Sequence, residues 1–300
     1  MNVRVVAAYT VMCMIWGTTW LAIKVALTGF SPLGGVGVRF LIAGTVLYLG
    51  SVVFPRPKTE APPLKLIVML AVTMVGGNYC LTYLAETHLA SGLVAVLFGT
   101  MPFFIFGMGA FMLRERVSGQ AVIGAIAALG GVVTISLTGE GGALIYILAA
   151  LLAAALSGFG NVYLKHYSHC DPLRTFAPAM LLSGTVISIA AAVTAPIDLS
   201  HLPAWPPILA TLYLAIFGSS VAFYLNHWLL RHLTAWMVGL QALIIPVIAV
   251  AVGALLAHEA FGARELIGAV LVIAGVWIAL RPSAKRLGGA VVLADVDGGF

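Results

Sequence analysis

Charged residues are scarce in this sequence. They make up 8% of its 300 residues, and hydrophobic residues make up 62%, whereas a soluble globular chain has about 25% charged and about 45–50% apolar residues. No soluble fold could cover so much apolar surface. The apolar runs are also continuous and lack the roughly ten-residue alternation of polarity that is typical of a membrane barrel. The composition therefore predicts membrane-spanning helices.

Residues that could hold a metal or catalyse a reaction are scarce too. The three cysteines, Cys13, Cys80 and Cys170, show no metal-ligand or paired spacing, and the short loop with His166 and His169 lacks a second pair of ligands. We find no paired carboxylates and no nucleophile with a base. The basic residues form no patch that would bind nucleic acid. We therefore expect no metal, no cofactor, no enzymatic activity and no nucleic-acid partner.

Short polar breaks divide the chain into ten apolar segments, each close to the roughly 20 residues that a helix needs to cross a bilayer. The first is too long for the apolar region of a signal peptide and is not followed by a small-residue cleavage site, so we expect it to be retained. The predicted spans are residues 5–27, 33–54, 64–85, 89–113, 119–137, 142–164, 173–195, 206–230, 235–257 and 263–281. The fold class expected is an all-α integral membrane protein of ten transmembrane helices.

The basic residues orient these helices, because lysine and arginine accumulate in cytoplasmic loops. With the N-terminus inside, only Lys24, Arg39 and Arg264 fall on the outer side. The cytoplasmic side then receives Arg4, Arg56, Lys58, Lys65, Arg114, Arg116, Lys165, Arg174, Arg231, Arg281, Lys285 and Arg286. This bias predicts that both termini are cytoplasmic in a multi-pass protein of the inner membrane.

A repeat relates the two halves of the chain at an offset of 144 residues, the spacing from Pro102 to Pro246. The other pairs at this offset are His88 and His232, Gly109 and Gly253, Glu115 and Glu259, Gly124 and Gly268, and Gly131 and Gly275. The repeat unit holds five helices, an odd number, so the second copy would enter the membrane from the opposite side. We predict two inverted repeats around a central cavity, residues 1–138 and 139–282, and a cytoplasmic tail, residues 283–300.

These residues carry a resemblance to a known family. The motifs are Trp16-Gly17 with Lys24, Ser31-Pro32 leading to Arg39-Phe40, Pro102 to Glu115 continuing to Gly124 and Gly131, and the second copy from Pro246 through Glu259 to Gly268 and Gly275. In order and in duplicate they resemble the EamA-like ten-helix members of the drug/metabolite transporter superfamily. One departure is His258, where the family commonly has glycine.

The resemblance implies a basket-like bundle whose central cavity is lined by the first, third, fourth, sixth, eighth and ninth helices, with the fifth and tenth outside. It also implies export of amino acids or other small metabolites, although substrates vary widely across the family. Carriers of anionic metabolites such as phosphorylated sugars and exporters of amphipathic drugs are the alternatives, and a membrane enzyme or a receptor are alternatives from other classes.

Polar and aromatic residues within the spans are candidates for lining the cavity, because polar groups in a membrane usually face the bundle interior. The alternatives for them are ordinary packing or an interfacial aromatic belt. The candidates are Trp16, Trp20, Asn78, Tyr79, Tyr83, Asn161, Phe223, His227 and Gln241. Neutral groups of this kind suit a neutral, zwitterionic or aromatic solute. The acidic residues lie only in loops, tails or near helix ends, so a cation would lack its counter-charge.

Other residues are candidates for driving and shaping transport. Glu86 and His227 are the coupling candidates, because imidazole ordinarily titrates near neutral pH and burial favours the protonated form of a carboxyl group. Pro102 and Pro246 are candidate hinges, with static kinks as the alternative. We expect Glu259, like its repeat partner Glu115, to cap the helix that follows it.

The basic side chains Lys24, Arg39 and Lys165 are expected to reach the membrane interface. A carrier of anions would instead direct them into the cavity. The partners expected are a small-molecule substrate and the lipid bilayer, with the protein a monomer or homodimer.

Overall fold

The computed structural model describes residues 3–53, 60–113, 119–136, 143–165, 167, 169–194, 203–230, 232–233 and 241–280, and all regular structure in them is helical. Two π-helical segments, π1 (Ala71–Gly77) and π2 (Ile216–Val221), each join two α-helices. The α-helices are α1 (Val3–Ala26), α2 (Pro32–Val53), α3 (Leu64–Leu70), α4 (Asn78–Glu86), α5 (Ser91–Phe98), α6 (Met101–Leu113), α7 (Gly119–Ser136), α8 (Ala143–Lys165), α9 (Pro172–Thr194), α10 (Trp205–Ala215), α11 (Ala222–Leu230), α12 (Gln241–Leu256) and α13 (Ala263–Leu280).

Within the described residues, eight helical stretches are long and apolar enough to cross a membrane. They are Val3–Ala26, Pro32–Val53, Leu64–Glu86, Ser91–Met108, Leu144–Leu164, Pro172–Thr194, Trp205–Leu229 and Ala263–Leu280. Two shorter apolar helices, Gly119–Ile135 and Gln241–Leu256, fall within the predicted fifth and ninth spans. Residues 234–240, where the ninth was predicted to begin, lie outside the described part of the chain. The protein is thus an all-helical integral membrane protein.

The fourth predicted span differs most from the structure. It was predicted as one helix, but α5 ends at Phe98 and α6 begins at Met101. Pro102 therefore does not lie in the middle of a helix, where the predicted span 89–113 would place it. It lies in the first turn of α6, where the missing N–H costs no helical hydrogen bond. Pro246, in contrast, does lie inside a helix, α12.

The π-helical segments were not predicted. A single-turn π segment places one extra residue in the turn, and such segments are frequent at functional sites. π1 and π2 begin 145 residues apart and end 144 residues apart, from Ala71 to Ile216 and from Gly77 to Val221, which is close to the offset of the sequence repeat. Both occur where the chain passes the middle of the bundle.

Two peripheral helix pairs, α2 with α9 and α7 with α13, are packed backbone against backbone. A Cβ added to Gly131 or Gly124 would collide with the carbonyl oxygen of Gly268 or Gly275 on α13, and one added to Gly184 would lie 2.6 Å from the Leu41 nitrogen on α2. Glycine permits this approach because it has no side chain, as at many helix contacts in membranes. These pairs flank the remaining helices, which enclose a central space.

Candidate functional site: a central cavity

A cavity lies at the centre of the bundle. About 660 Å³ of space, its open mouth included, is enclosed by residues of α1, π1, α4, α5, α6, α8, α11 and α12. Trp16 packs against apolar clusters on both sides of the cavity. The cavity therefore lies between the two largest apolar clusters of the described structure.

One wall is a stripe of residues spaced four apart along π1 and α4. Met74, Asn78 and Thr82 line the cavity because a spacing of four repeats on one helix face. The Asn78 side-chain amide donates to the Met74 carbonyl at 3.1 Å, and the Thr82 hydroxyl donates to Asn78 Oδ1 at 3.3 Å. The polar groups of this wall are thus largely satisfied by their own helix.

The other walls hold polar atoms that lack a partner. Trp20 Nε1, Asn226 Oδ1 and Gln241 Oε1 are buried and form no hydrogen bond within the described structure, and all three residues line the cavity. Asn161 differs, since its amide donates to the Ser157 carbonyl at 2.9 Å. A buried polar atom without a partner is costly. One donor and two acceptors are therefore available for a solute or for water.

Aromatic rings form the apolar part of the cavity. Trp16 lies edge-on to Phe223, with ring centroids 6.0 Å apart, and Trp20 lies 5.4 Å from Phe98. Beyond these rings is a second space of about 340 Å³, bounded by Phe98, Ala242 and Pro246 among others. The two spaces share Trp16 and Trp20 in their walls. The site thus combines neutral polar groups with an apolar extension.

Most of the residues predicted to line a cavity do so in the structure. Tyr83 and His227 do not line it. Tyr83 is fully buried and faces α2, where a Cβ added to Gly35 would lie 2.9 Å from the ring; Thr82 takes its predicted place. His227 is 4% exposed and follows Asn226, which does line the cavity. Those that line it are Trp16, Trp20, Asn78, Tyr79, Asn161, Phe223 and Gln241.

Sequence reasoning missed nine residues of the lining. Thr82 and Met74 could have been found from their spacing of four to Asn78, and Asn226 from its polarity within an apolar span. The apolar members carry no such signal, because an apolar residue suits either packing or lipid contact. The nine are Thr19, Ile23, Met74, Thr82, Phe98, Met101, Ser157, Asn226 and Ile245.

Arg39 does not reach the membrane interface, and that prediction was wrong. It is fully buried, and its Nε donates to Ser219 Oγ at 2.9 Å and its Nη2 to the Gly218 carbonyl at 3.5 Å. Its guanidinium carbon lies 4.3 Å from the ring centroid of Tyr79, a cavity residue, in a cation–π contact. Two residues of π2 and an aromatic ring thus hold this charge inside the protein, behind the cavity wall.

Lys24 and Glu86 do not line the cavity either. Lys24 is half-buried and donates to the Glu86 and Leu89 carbonyls at 3.0 and 2.7 Å. Glu86 is fully buried, and neither oxygen of its carboxyl group forms a hydrogen bond within the described structure. The side chain of Lys165 and the whole of Glu115 lie outside the described residues. No charged side chain is among the described residues that line the cavity.

The loop before α9 has structural contacts of its own. His169 Nε2 lies 3.2 Å from Glu60 Oε2, and Asp171 Oδ1 accepts from the Arg174 amide at 2.9 Å, which caps α9. His166 lies outside the described residues. Within the described parts of the chain, no group of three or more His, Cys, Asp or Glu side chains could hold a metal ion.

Comparisons with known proteins define the class. The profile of the EamA-like transporter family matches residues 5–137 and again residues 144–281. The chain therefore belongs to this family and is a membrane transporter, not an enzyme.

Individual relatives are more distant. The chain is 28% identical to a probable amino-acid metabolite efflux pump of Escherichia coli K12, over 88% of this chain and 91% of that protein. It is 29% identical to the uncharacterized inner membrane transporter YedA of the same organism, over 89% and 88%. A solved crystal structure, 18% identical, shares the fold with a TM-score of 0.69 and covers 93% of this chain and 98% of its own. These relatives support a multi-pass protein of the inner membrane.

Proposed function

We propose that this transporter exports small neutral or zwitterionic metabolites, above all amino acids and related aromatic solutes, by alternating access. The observation that carries the proposal is the central cavity, whose described lining offers amides, hydroxyls and indole rings but no charged side chain. Such a lining can satisfy a solute whose own charges cancel or are absent. The export direction is suggested by the E. coli relative, which is named as an efflux pump.

The proposed architecture is ten transmembrane helices in two inverted repeats, residues 1–138 and 139–282, with a tail, residues 283–300, and both termini in the cytoplasm. Contacts between repeat-related residues support it. Gly124 and Gly268 are repeat partners, as are Gly131 and Gly275, and in the structure Gly124 meets Gly275 while Gly131 meets Gly268. Such reciprocal contacts are expected where a pseudo-twofold axis relates two helices.

Coupling and bending belong to the same proposal. Glu86 and His227 are the proposed coupling residues, since both are buried ionisable groups. Neither lines the cavity, so a proton bound at Glu86 would act on the conformation instead of touching the solute. Pro102 and Pro246 remain the proposed hinges, and Pro102 adjoins the existing break between α5 and α6.

A second candidate is export of amphipathic drugs. The apolar extension bounded by Phe98, Ala242 and Pro246 favours it, because a large apolar group of a solute could enter this space. A carrier of anionic metabolites is less well supported, since Lys24 and Arg39 bond elsewhere.

Counterflow in reconstituted vesicles tests the proposal. Vesicles containing the purified protein would be loaded with one unlabelled solute at a time, and uptake of the same solute in labelled form would be measured. The panel would hold aromatic, aliphatic and charged amino acids, amphipathic drugs and sugar phosphates. We expect counterflow of neutral or zwitterionic amino acids and no counterflow of sugar phosphates. Counterflow of sugar phosphates alone, or of no solute in the panel, would refute the proposed substrate class.

A further inference from the structure

The turn between α4 and α5, residues 86–92, is held by charged groups on two sides. Lys24 Nζ donates to the carbonyls of Glu86 and Leu89 at 3.0 and 2.7 Å. On the other side, the Glu259 carboxylate accepts from the Ser91 amide at 2.9 Å, from Ser91 Oγ at 3.0 Å and from the Gly92 amide at 3.4 Å. A cation thus meets the carbonyl end of α4 and an anion meets the amide end of α5, as the helix dipoles favour.

The Glu259 contact corrects a prediction from the sequence. Glu259 was expected to cap the helix that follows it, α13, but it caps α5, which is 168 residues away along the chain. Glu265 occupies the predicted role instead, since its Oε2 accepts from the Gly262 amide at 2.8 Å just before α13. Glu259 therefore joins distant parts of the chain, whereas Glu265 bonds only locally.

The helices around this contact are shaped to permit it. A Cβ on Gly253 would collide with the Glu259 carboxylate, and a Cβ on Gly92 would lie 2.8 Å from the Val250 backbone. His258 has a φ of 51°, and this left-handed residue lets the chain turn so that the Glu259 amide donates to the Gly253 carbonyl at 3.1 Å. α5 and α12 thus pack closely together, and the Glu259 carboxylate bonds to the N-terminus of α5.

The turn lies at one end of the cavity. Lys24 and Glu259 hold together the ends of α1, α4, α5 and α12 at this turn. Ile23 of α1 and Thr82 of α4 line the cavity close to it, whereas the cavity residues of α5 and α12 lie at the far ends of those helices. Ile23 and Thr82 lie within four residues of Lys24 and Glu86 in the sequence. Parting these helix ends would uncover the cavity from that side, which the distribution of basic residues puts on the exterior.

We propose that Glu259 is a gating residue, which holds the exterior end of the cavity closed through Ser91 and Gly92 and must release them for the cavity to open outward. This inference rests on the proposed alternating access. Three hydrogen bonds to one carboxylate are charge-assisted and stronger than neutral ones. The closed arrangement is thereby favoured, and its release would accompany opening to the exterior.

Labelling of a single cysteine tests the proposal. The three native cysteines would be replaced with alanine, and Thr82→Cys would be introduced as a reporter in the cavity. A membrane-impermeant maleimide would then be added to the outside of intact cells. We expect Glu259→Gln, which keeps the shape but removes the charge and an acceptor oxygen, to speed labelling about tenfold, as expected when loss of such bonds shifts a closed population towards an open one.

Glu265→Gln is the matched control, because it removes the same charge at the same end of the bundle without touching the 86–92 turn. Faster labelling with Glu259→Gln but not with Glu265→Gln supports the gate. Equal rates in wild type and Glu259→Gln, equal acceleration by both variants, or acceleration only from the cytoplasmic face of inverted vesicles would each overturn it. Wild-type counterflow is measured separately, so a failed gate is distinguishable from a failed transport function.

Discussion

The peripheral helix pairs are packed closely, whereas the helices around the cavity are held apart. In α7 and α13, glycines bring the two backbones into contact at Gly124, Gly131, Gly268 and Gly275. Around the cavity, bulky indole rings and side-chain amides hold the helices apart, and several polar atoms there lack a partner. The helix pairs are stabilised by dispersion contacts along their whole interface. The cavity walls lack some of these contacts and hydrogen bonds, and a bound solute could supply them.

Arg39 links the two regions. It belongs to α2, one helix of a tightly packed pair, yet its guanidinium group contacts Tyr79 of the cavity wall and bonds to π2. The Gly218 carbonyl in π2 accepts from Arg39 and also from Trp16 Nε1, at 3.3 Å. Through this shared carbonyl in π2, Arg39 of the α2–α9 pair is connected to Trp16 of the cavity wall. Four substitutions test this difference between the two regions.

The largest effect is expected in the α7–α13 contact. Gly131→Leu would drive a side chain into the Gly268 carbonyl, so the helices must separate along their length and folded protein should be lost. Gly130→Leu is the control one residue away, because a Cβ at Gly130 meets nothing within 4 Å. Size-exclusion chromatography in detergent would report the yield of folded protein. Equal yields for both variants would contradict the tight contact.

The next effect is expected where scaffold and cavity join. Arg39→Met removes the bonds to Ser219 and Gly218 and the contact with Tyr79, a loss of about 1.5–3 kcal/mol for a hydrogen bond to a charged group. We expect a lower Tm and weaker solute binding, measured by thermal shift with and without solute. Arg39→Lys keeps the charge but not the planar fork, so it should fall between wild type and Arg39→Met. Unchanged solute affinity in Arg39→Met would show that Arg39 does not influence the cavity.

A substitution in the cavity wall should affect binding without affecting stability. Gln241→Leu removes an amide whose oxygen has no partner in the described structure, so Tm should stay level or rise. Solute affinity should fall about tenfold, the equivalent of one lost hydrogen bond of about 1.4 kcal/mol. Ile244→Ala on the same helix, at a side chain that is 40% exposed, should leave affinity unchanged. Titration in detergent measures both variants, and equal affinities would remove Gln241 from the site.

The smallest effect is expected at the turn after α12. His258→Gly should raise stability by up to about 1 kcal/mol, because glycine adopts a φ of 51° without the steric cost that a Cβ brings. His258→Ala keeps that cost and should bring no gain. Thermal denaturation would compare the two variants. A Tm for His258→Ala that matches or exceeds the glycine variant would show that the backbone conformation is not what limits stability here.

Membrane-spanning helices and several of the cavity residues could be predicted because their causes are local. Apolar length defines a span, and a polar residue within it, such as Asn78, Asn161 or Gln241, has few places to go except the interior. Tyr83 shows the limit of this reasoning. Tyr83 lies four residues after Tyr79 and so on nearly the same helix face. Packing against the neighbouring helix α2 determines that Tyr79 lines the cavity and Tyr83 does not.

Contacts between distant residues could not be predicted in the same way. The amino-acid sequence was enough to predict membrane-spanning helices, their approximate extents and the burial of most of their polar residues, because the cost of placing polar groups in lipid acts on each segment alone. The burial of Arg39, the bond from Glu259 to a helix 168 residues away and the helix break before Pro102 follow from tertiary contacts. These contacts depend on which distant segments come within hydrogen-bonding distance, and the packing of the helices determines which segments do so.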